Sequence, residues 1–146
     1  MTRLWTVPAV AGVVAAVLTV WLVRACQVLA ADGWGATVVT APTLLLVYAA
    51  GPAVLCAVPL VLIARTVLGR AGRSLPVHAG LGLLCGLLVG VVQTGVLLSS
   101  WPWQVGGVAD ELIGLPALGG LVGGVVAGLV ARRLDASERP GRPDAC

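Results

Sequence analysis

The sequence predicts an all-α integral membrane protein with four transmembrane helices and both termini in the cytoplasm. Three observations predict it. Of the 146 residues, 59% are hydrophobic and only 10% are charged, against about 25% charged in an ordinary globular domain. Four apolar runs contain no Asp, Glu, Lys or Arg. Each holds about 20 residues, enough at 1.5 Å per residue to cross about 30 Å of hydrocarbon. The arginines also fall almost entirely on one side of those runs. A chain this small has too little polar surface to enclose so much apolar material in water, so the lipid bilayer is its expected solvent and first partner.

The runs are 4–23, 43–64, 77–98 and 112–131. Hydrocarbon offers the backbone no hydrogen bonds and four segments cannot close a barrel, so each run should be a helix. The first has a second reading as a signal peptide, with Arg3 as its basic start and Val28-Leu29-Ala30 as a cleavage site. Its length exceeds the usual apolar core of about 7–15 residues, and Arg24 and Gln27 interrupt the approach to that site. The second run contains Gly51-Pro52 and Pro59, a candidate helix break. The third carries one amide, Gln93, with Thr94 beside it. The fourth has ten Leu, Ile or Val residues, together about −3 to −6 kcal/mol on an insertion scale. Six glycines and Pro116 offset part of this, so neighbouring helices should assist its insertion.

Charge sets the orientation. Arg3, Arg65, Arg70, Arg73, Arg132, Arg133, Arg139 and Arg142 fall on one side; Arg24 stands alone on the other, with Asp32, Asp110 and Glu111. Eight against one puts both termini in the cytoplasm of a cell membrane. Trp21, Trp34, Trp101 and Trp103 lie near the outer interface and Trp5 near the inner one, where amphipathic rings belong. Residues 1–131 form the expected membrane domain. Residues 132–146, with two prolines and alternating charges, read as a disordered, Arg-rich cytoplasmic tail. Its Arg132-Arg133 pair suits anionic headgroups better than nucleic acid, so no nucleic-acid partner is expected.

The most ordered pattern is a small residue at every fourth position. The third helix has Gly82, Gly86 and Gly90, and the fourth has Gly120, Gly124 and Gly128 beside a second stripe of Gly119, Gly123 and Ala127. Ala49, Ala53 and Ala57 repeat it in the second helix, and Pro8, Gly12 and Ala16 in the first. Small residues let backbones approach closely where lipid supplies no hydrophobic force between helices. One face of the fourth helix can pack on the third; the other remains for the first or second helix, or for another copy. Lys, Asn and Phe are absent, which points to a high-GC genome that also enriches glycine.

Ionisable groups within a membrane usually mark function, and no Asp, Glu, Lys or Arg lies in these runs. Gln93 and Thr94 are the candidate buried polar contacts, with Thr19 and Tyr48 weaker ones, and an interhelical hydrogen bond is the plain reading. His78, at the inner mouth of the third helix, reads as solvated. No metal site is expected, since no second ligand is spaced to join it. Asp110 and Glu111 precede the fourth helix, where they favour its dipole or pair with Arg24. Cys26, Cys56, Cys85 and Cys146 have no CxxC spacing, so no redox or metal motif and no cofactor is expected.

Several enzyme and transporter classes are thereby disfavoured. Small multidrug transporters need a Glu in the first helix, quinone-linked disulfide-forming enzymes need CxxC, and lipoprotein signal peptidases need Asn in their motifs. Ser99 and Ser100 have no histidine on their side of the membrane to complete a protease site. The chain reads as non-enzymatic, without catalytic residues. In size, apolar content and short Arg-rich tail it resembles the small hydrophobic spread proteins of conjugative plasmids from mycelial high-GC bacteria. That resemblance rests on general character and transfers no residue. It implies an accessory component of a membrane complex, a homo-oligomer or a larger assembly. The alternatives are a holin-like self-associating pore former and a small transporter subunit.

Overall fold

In the computed structural model the residues described are 3–71, 74–99, 104 and 107–137. Four helices account for nearly all of them: α1 (Arg3–Asp32), α2 (Thr37–Ala71), α3 (Leu75–Leu98) and α4 (Gly107–Ser137). No strand occurs among the described residues. Among the described residues, three stretches are long and apolar enough to cross a membrane: Thr6–Asp32, Leu75–Val96 and Glu111–Ser137; Thr37–Tyr48 is a shorter apolar helical stretch.

Every helix is longer than the apolar run that announced it. α1 continues nine residues past Val23, carrying Arg24 and Gln27 within the helix, and α4 begins before Asp110. Glu111 therefore sits in the second turn rather than ahead of the helix. Residues Arg132–Ser137, expected in a disordered tail, are the last turns of α4, and Ser137 Oγ donates to the Arg133 carbonyl at 2.9 Å. Hydropathy marks where hydrocarbon surrounds a helix, whereas backbone hydrogen bonding carries the helix on into polar surroundings. Residues 138–146, together with Arg73, Ser100, Trp101 and Trp103, lie outside the described residues.

The ends have local causes. α1 stops where Gly33 takes φ +74° and its N–H reaches the Leu29 carbonyl at 3.0 Å, a left-handed cap for which glycine carries no Cβ penalty. α3 starts after an extended Ser74 with a proline in its first turn, and ends at Ser99, whose φ is 48°.

Residue pairing fixes the directions. Gly12 meets Gly123, Ala16 meets Gly119 and Arg24 meets Glu111, so α1 and α4 run antiparallel. Gly82 meets Gly120 and Gly124, Gly86 meets Pro116 and Gly90 meets Ile113, so α3 and α4 are antiparallel too. Among the described residues the most extensive contacts are α3 with α4 and α1 with α4; α2 meets α1 and α3 less extensively. Trp21 Nε1 donates to Thr43 Oγ1 at 3.4 Å between α1 and α2.

Large side chains face out and small ones face in. On α1, Val10, Val14, Leu18 and Leu22 are all more than half exposed, at steps of four. Among the described residues, Ala25, Leu115 and Ala117 are the buried hydrophobic ones, and Pro42 is completely enclosed. Such an apolar exterior would be an aggregation surface in water and is an ordinary one in lipid.

Candidate functional site

The interior is built on two seams along α4. On the α3 side, a Cβ on Gly82 would strike the Gly120 carbonyl oxygen and stand 2.9 Å from Gly124 Cα. On Gly86 it would strike the Pro116 carbonyl oxygen, and on Gly90 it would lie 2.9 Å from Ile113 Cα. From the other side, a Cβ on Gly120 would lie 3.0 Å from Gly86 Cα, one on Gly124 would strike the His78 carbonyl, and one on Gly128 would lie 2.9 Å from Leu75 Cδ1. Apart from Gly128, where the flexible end of Leu75 is the nearest obstacle, hydrogen is the only side chain these backbones admit. On the α1 side, a Cβ on Gly123 would lie 2.5 Å from the Gly12 carbonyl oxygen, and one on Gly119 would lie 2.7 Å from Val20 Cγ2. The two small faces of α4 thus hold α3 and α1 respectively, both within the chain.

Between these seams and α2 lies a cavity of about 430 Å³ lined by all four helices. Small residues at one depth create it: Ala16, Ala50, Ala53, Gly86, Gly119 and Gly120 all reach its wall without filling it. Val13 and Val17 line it on α1 yet are 63% and 43% exposed, so it opens along that helix. Its wall is almost wholly apolar, with Gln93 as the one amide among its lining residues.

Gln93 is only 3% exposed, and its amide has no hydrogen-bond partner among the described residues. No fully enclosed side-chain N or O among those residues lacks a partner, so the Gln93 amide is not sealed in packed protein, and the open space that Gln93 lines is this cavity. Thr94 is completely buried and donates to the Gly90 carbonyl of its own helix at 2.8 Å. Gln93 and Thr94 therefore do different things: Thr94 is satisfied within α3, and Gln93 is not.

Other polar residues depart from expectation in informative ways. His78 is buried, not solvated, because Gly124 and Gly128 leave room for it on α4. Its Nδ1 lies 3.0 Å from the Ser74 carbonyl, which places the proton on Nδ1. Thr19 donates to the Ala15 carbonyl at 2.7 Å within α1, and Tyr48 is 63% exposed on the outer face of α2. Arg24 pairs with Glu111 and donates to Gln27 Oε1 at 3.1 Å. Because Val20 and Leu112 line the cavity, this pair stands within about one turn of its rim.

Sequence reasoning isolated Gln93 but missed the cavity around it. The only available signal was small residues falling at one depth on four helices, and depth depends on a register that spacing within one helix does not give. Comparison of the chain with known protein families, curated proteins and solved structures finds no match.

Proposed function

We propose that the chain is a non-enzymatic, multi-pass protein of a bacterial cell membrane, with four spanning helices and both termini cytoplasmic. It acts by helix association as an accessory component of a membrane complex, and conjugative plasmid transfer or spread is the process its general character suggests. The observation that supports this reading is the outward apolar face left on a bundle whose α4 is already gripped on both sides within the chain. Gly82, Gly86 and Gly90 hold one face and Gly12 the other, making α1, α4 and α3 one close-packed unit.

Such a unit offers surfaces to its neighbours more readily than chemistry. Thr19, Thr94 and His78 are each bonded to a carbonyl of the same chain segment. The glycine seams are occupied, so a partner would meet outward apolar faces such as Val10, Val14, Leu18 and Leu22 of α1. A pore through one copy would need a polar lining, whereas the central cavity is apolar.

The test is photocrosslinking in intact host cells from a reactive residue at Leu18 or Leu22. A discrete protein adduct at these positions, mapped to a defined contact, supports association. Adducts to lipid alone from every outward position of α1, α3 and α4 would overturn it, and host lysis on expression would replace it with the holin-like pore.

A further inference from the structure

We propose that the central cavity is a binding site for a neutral, single-chain lipid bearing one carbonyl or hydroxyl group, held through the Gln93 amide. Three observations converge on it. The volume is about 430 Å³, roughly three times that of an apolar cavity that already takes up benzene and stays dry. The lining comes from all four helices and is almost entirely aliphatic, with no Asp, Glu, Lys, Arg or His on it. A charged headgroup would therefore enter without a counter-charge, at a large desolvation cost. Finally, Gln93 is 3% exposed, lines this space and has no partner for its amide among the described residues.

An amide offers both a carbonyl acceptor and two N–H donors, so it can hold either a hydroxyl or a carbonyl. The mouth along α1, at Val13 and Val17, lies between helices, where a ligand already dissolved in the bilayer can enter sideways. The head would sit at Gln93 and the chain would run along Ala16, Ala50 and Ala53. The site is independent of partner association, because no residue that binds the ligand is one a partner would meet on Val10, Val14, Leu18 or Leu22.

The test uses purified full-length protein in nanodiscs and a diazirine-bearing hexadecanol as the probe. Labelling should map to the peptides containing Gln93 and Leu112–Gly120. Unlabelled hexadecanol should compete about three- to ten-fold better than hexadecane, the size of one hydrogen bond. Gln93→Met keeps the side chain's length and removes the amide, and it should abolish that preference. Ala53→Trp fills the cavity from α2 and should suppress labelling while leaving every glycine of the seams unchanged. Equal competition by alcohol and alkane on the unaltered protein would mean that ordinary lipid tails fill the space, and would overturn the proposal. So would full labelling of Ala53→Trp. Loss of protein crosslinks from Leu18 with labelling intact would sink the association reading alone.

Discussion

Arg24 pairs with Glu111 in the same antiparallel register that sets Gly12 against Gly123, twelve residues earlier on α1 and twelve later on α4. Over that distance, about 18 Å of helix, the two backbones keep one alignment. A backbone contact inside the apolar region fixes one end and an ion pair beyond it fixes the other. The two ends contribute unequally. The Arg24 and Glu111 side chains are 35% and 50% exposed, so their pairing is worth about 0.2–1 kcal/mol and weakens with salt. A side chain at Gly123 must displace backbone.

Gly123→Val should therefore destabilise the bundle by about 1–3 kcal/mol through overpacking, and Arg24→Gln by less than about 1 kcal/mol. Thermal unfolding of both variants in one detergent, at low and high salt, checks this. Only the arginine variant's effect should shrink as salt rises; a salt-sensitive loss at Gly123→Val, or equal losses in both, would contradict the assignment.

Orientation is tested by reporter fusions. A fusion at Gly69, between the second and third apolar runs, should report cytoplasm, and one at Gly106 should report the outside, because the proposed four-span arrangement would put eight of nine arginines on the Gly69 side. Activity of an exported-only reporter at Gly69 would invert or break the four-span arrangement.

Gln93 and Thr94 should respond in opposite ways. The Gln93 amide lines an apolar cavity without a hydrogen-bond partner among the described residues, a position that costs stability. Gln93→Met should leave the ligand-free protein as stable or up to about 1 kcal/mol more stable. Thr94 is fully enclosed and hydrogen-bonded, so Thr94→Val should cost about 0.5–1.5 kcal/mol. Denaturation of delipidated protein measures both. A marked loss in Gln93→Met would show that the amide bonds to protein after all.

What could be read from the sequence divides along physical lines. Smallness at steps of four is a property of one helix, so the stripes at Gly82, Gly86 and Gly90 and at Gly120, Gly124 and Gly128 are visible in the chain. Which stripe meets which helix depends on the pairing of three helices, and spacing is silent about that. The same holds for the cavity, which is a shortage of volume shared by Ala16, Ala53, Gly86 and Gly120. His78 defeats sequence reading for a related reason: its burial comes from side chains that Gly124 and Gly128 do not have. Helix ends were missed because α1 and α4 continue through Arg24 and Arg132 on backbone hydrogen bonds that hydropathy does not register.

The last prediction concerns the α3–α4 seam, the most extensive among the described residues. Gly86 and Gly124 lie on opposite sides of it. A Cβ on Gly86 would meet the Pro116 carbonyl, and one on Gly124 would meet the His78 carbonyl with Ala79 Cα at 3.2 Å. These obstacles are backbone atoms, which cannot rotate away as a flexible side chain can. Leu129, on the same helix as Gly124, is 46% exposed and faces outward. Gly86→Ile and Gly124→Ile should each force the helices apart and cost on the order of 1–3 kcal/mol. Leu129→Ile should cost well under 1 kcal/mol, since lipid accepts either side chain and the small loss of helix propensity is all that remains. The double variant Gly86→Ile with Gly124→Ile should cost less than the sum of the single variants, because one separation of the helices relieves both clashes. Protein level and detergent-resistant folding, measured for all four variants, decide the matter. If the glycine variants match Leu129→Ile, the two backbones do not touch, and the glycines reflect genome composition alone.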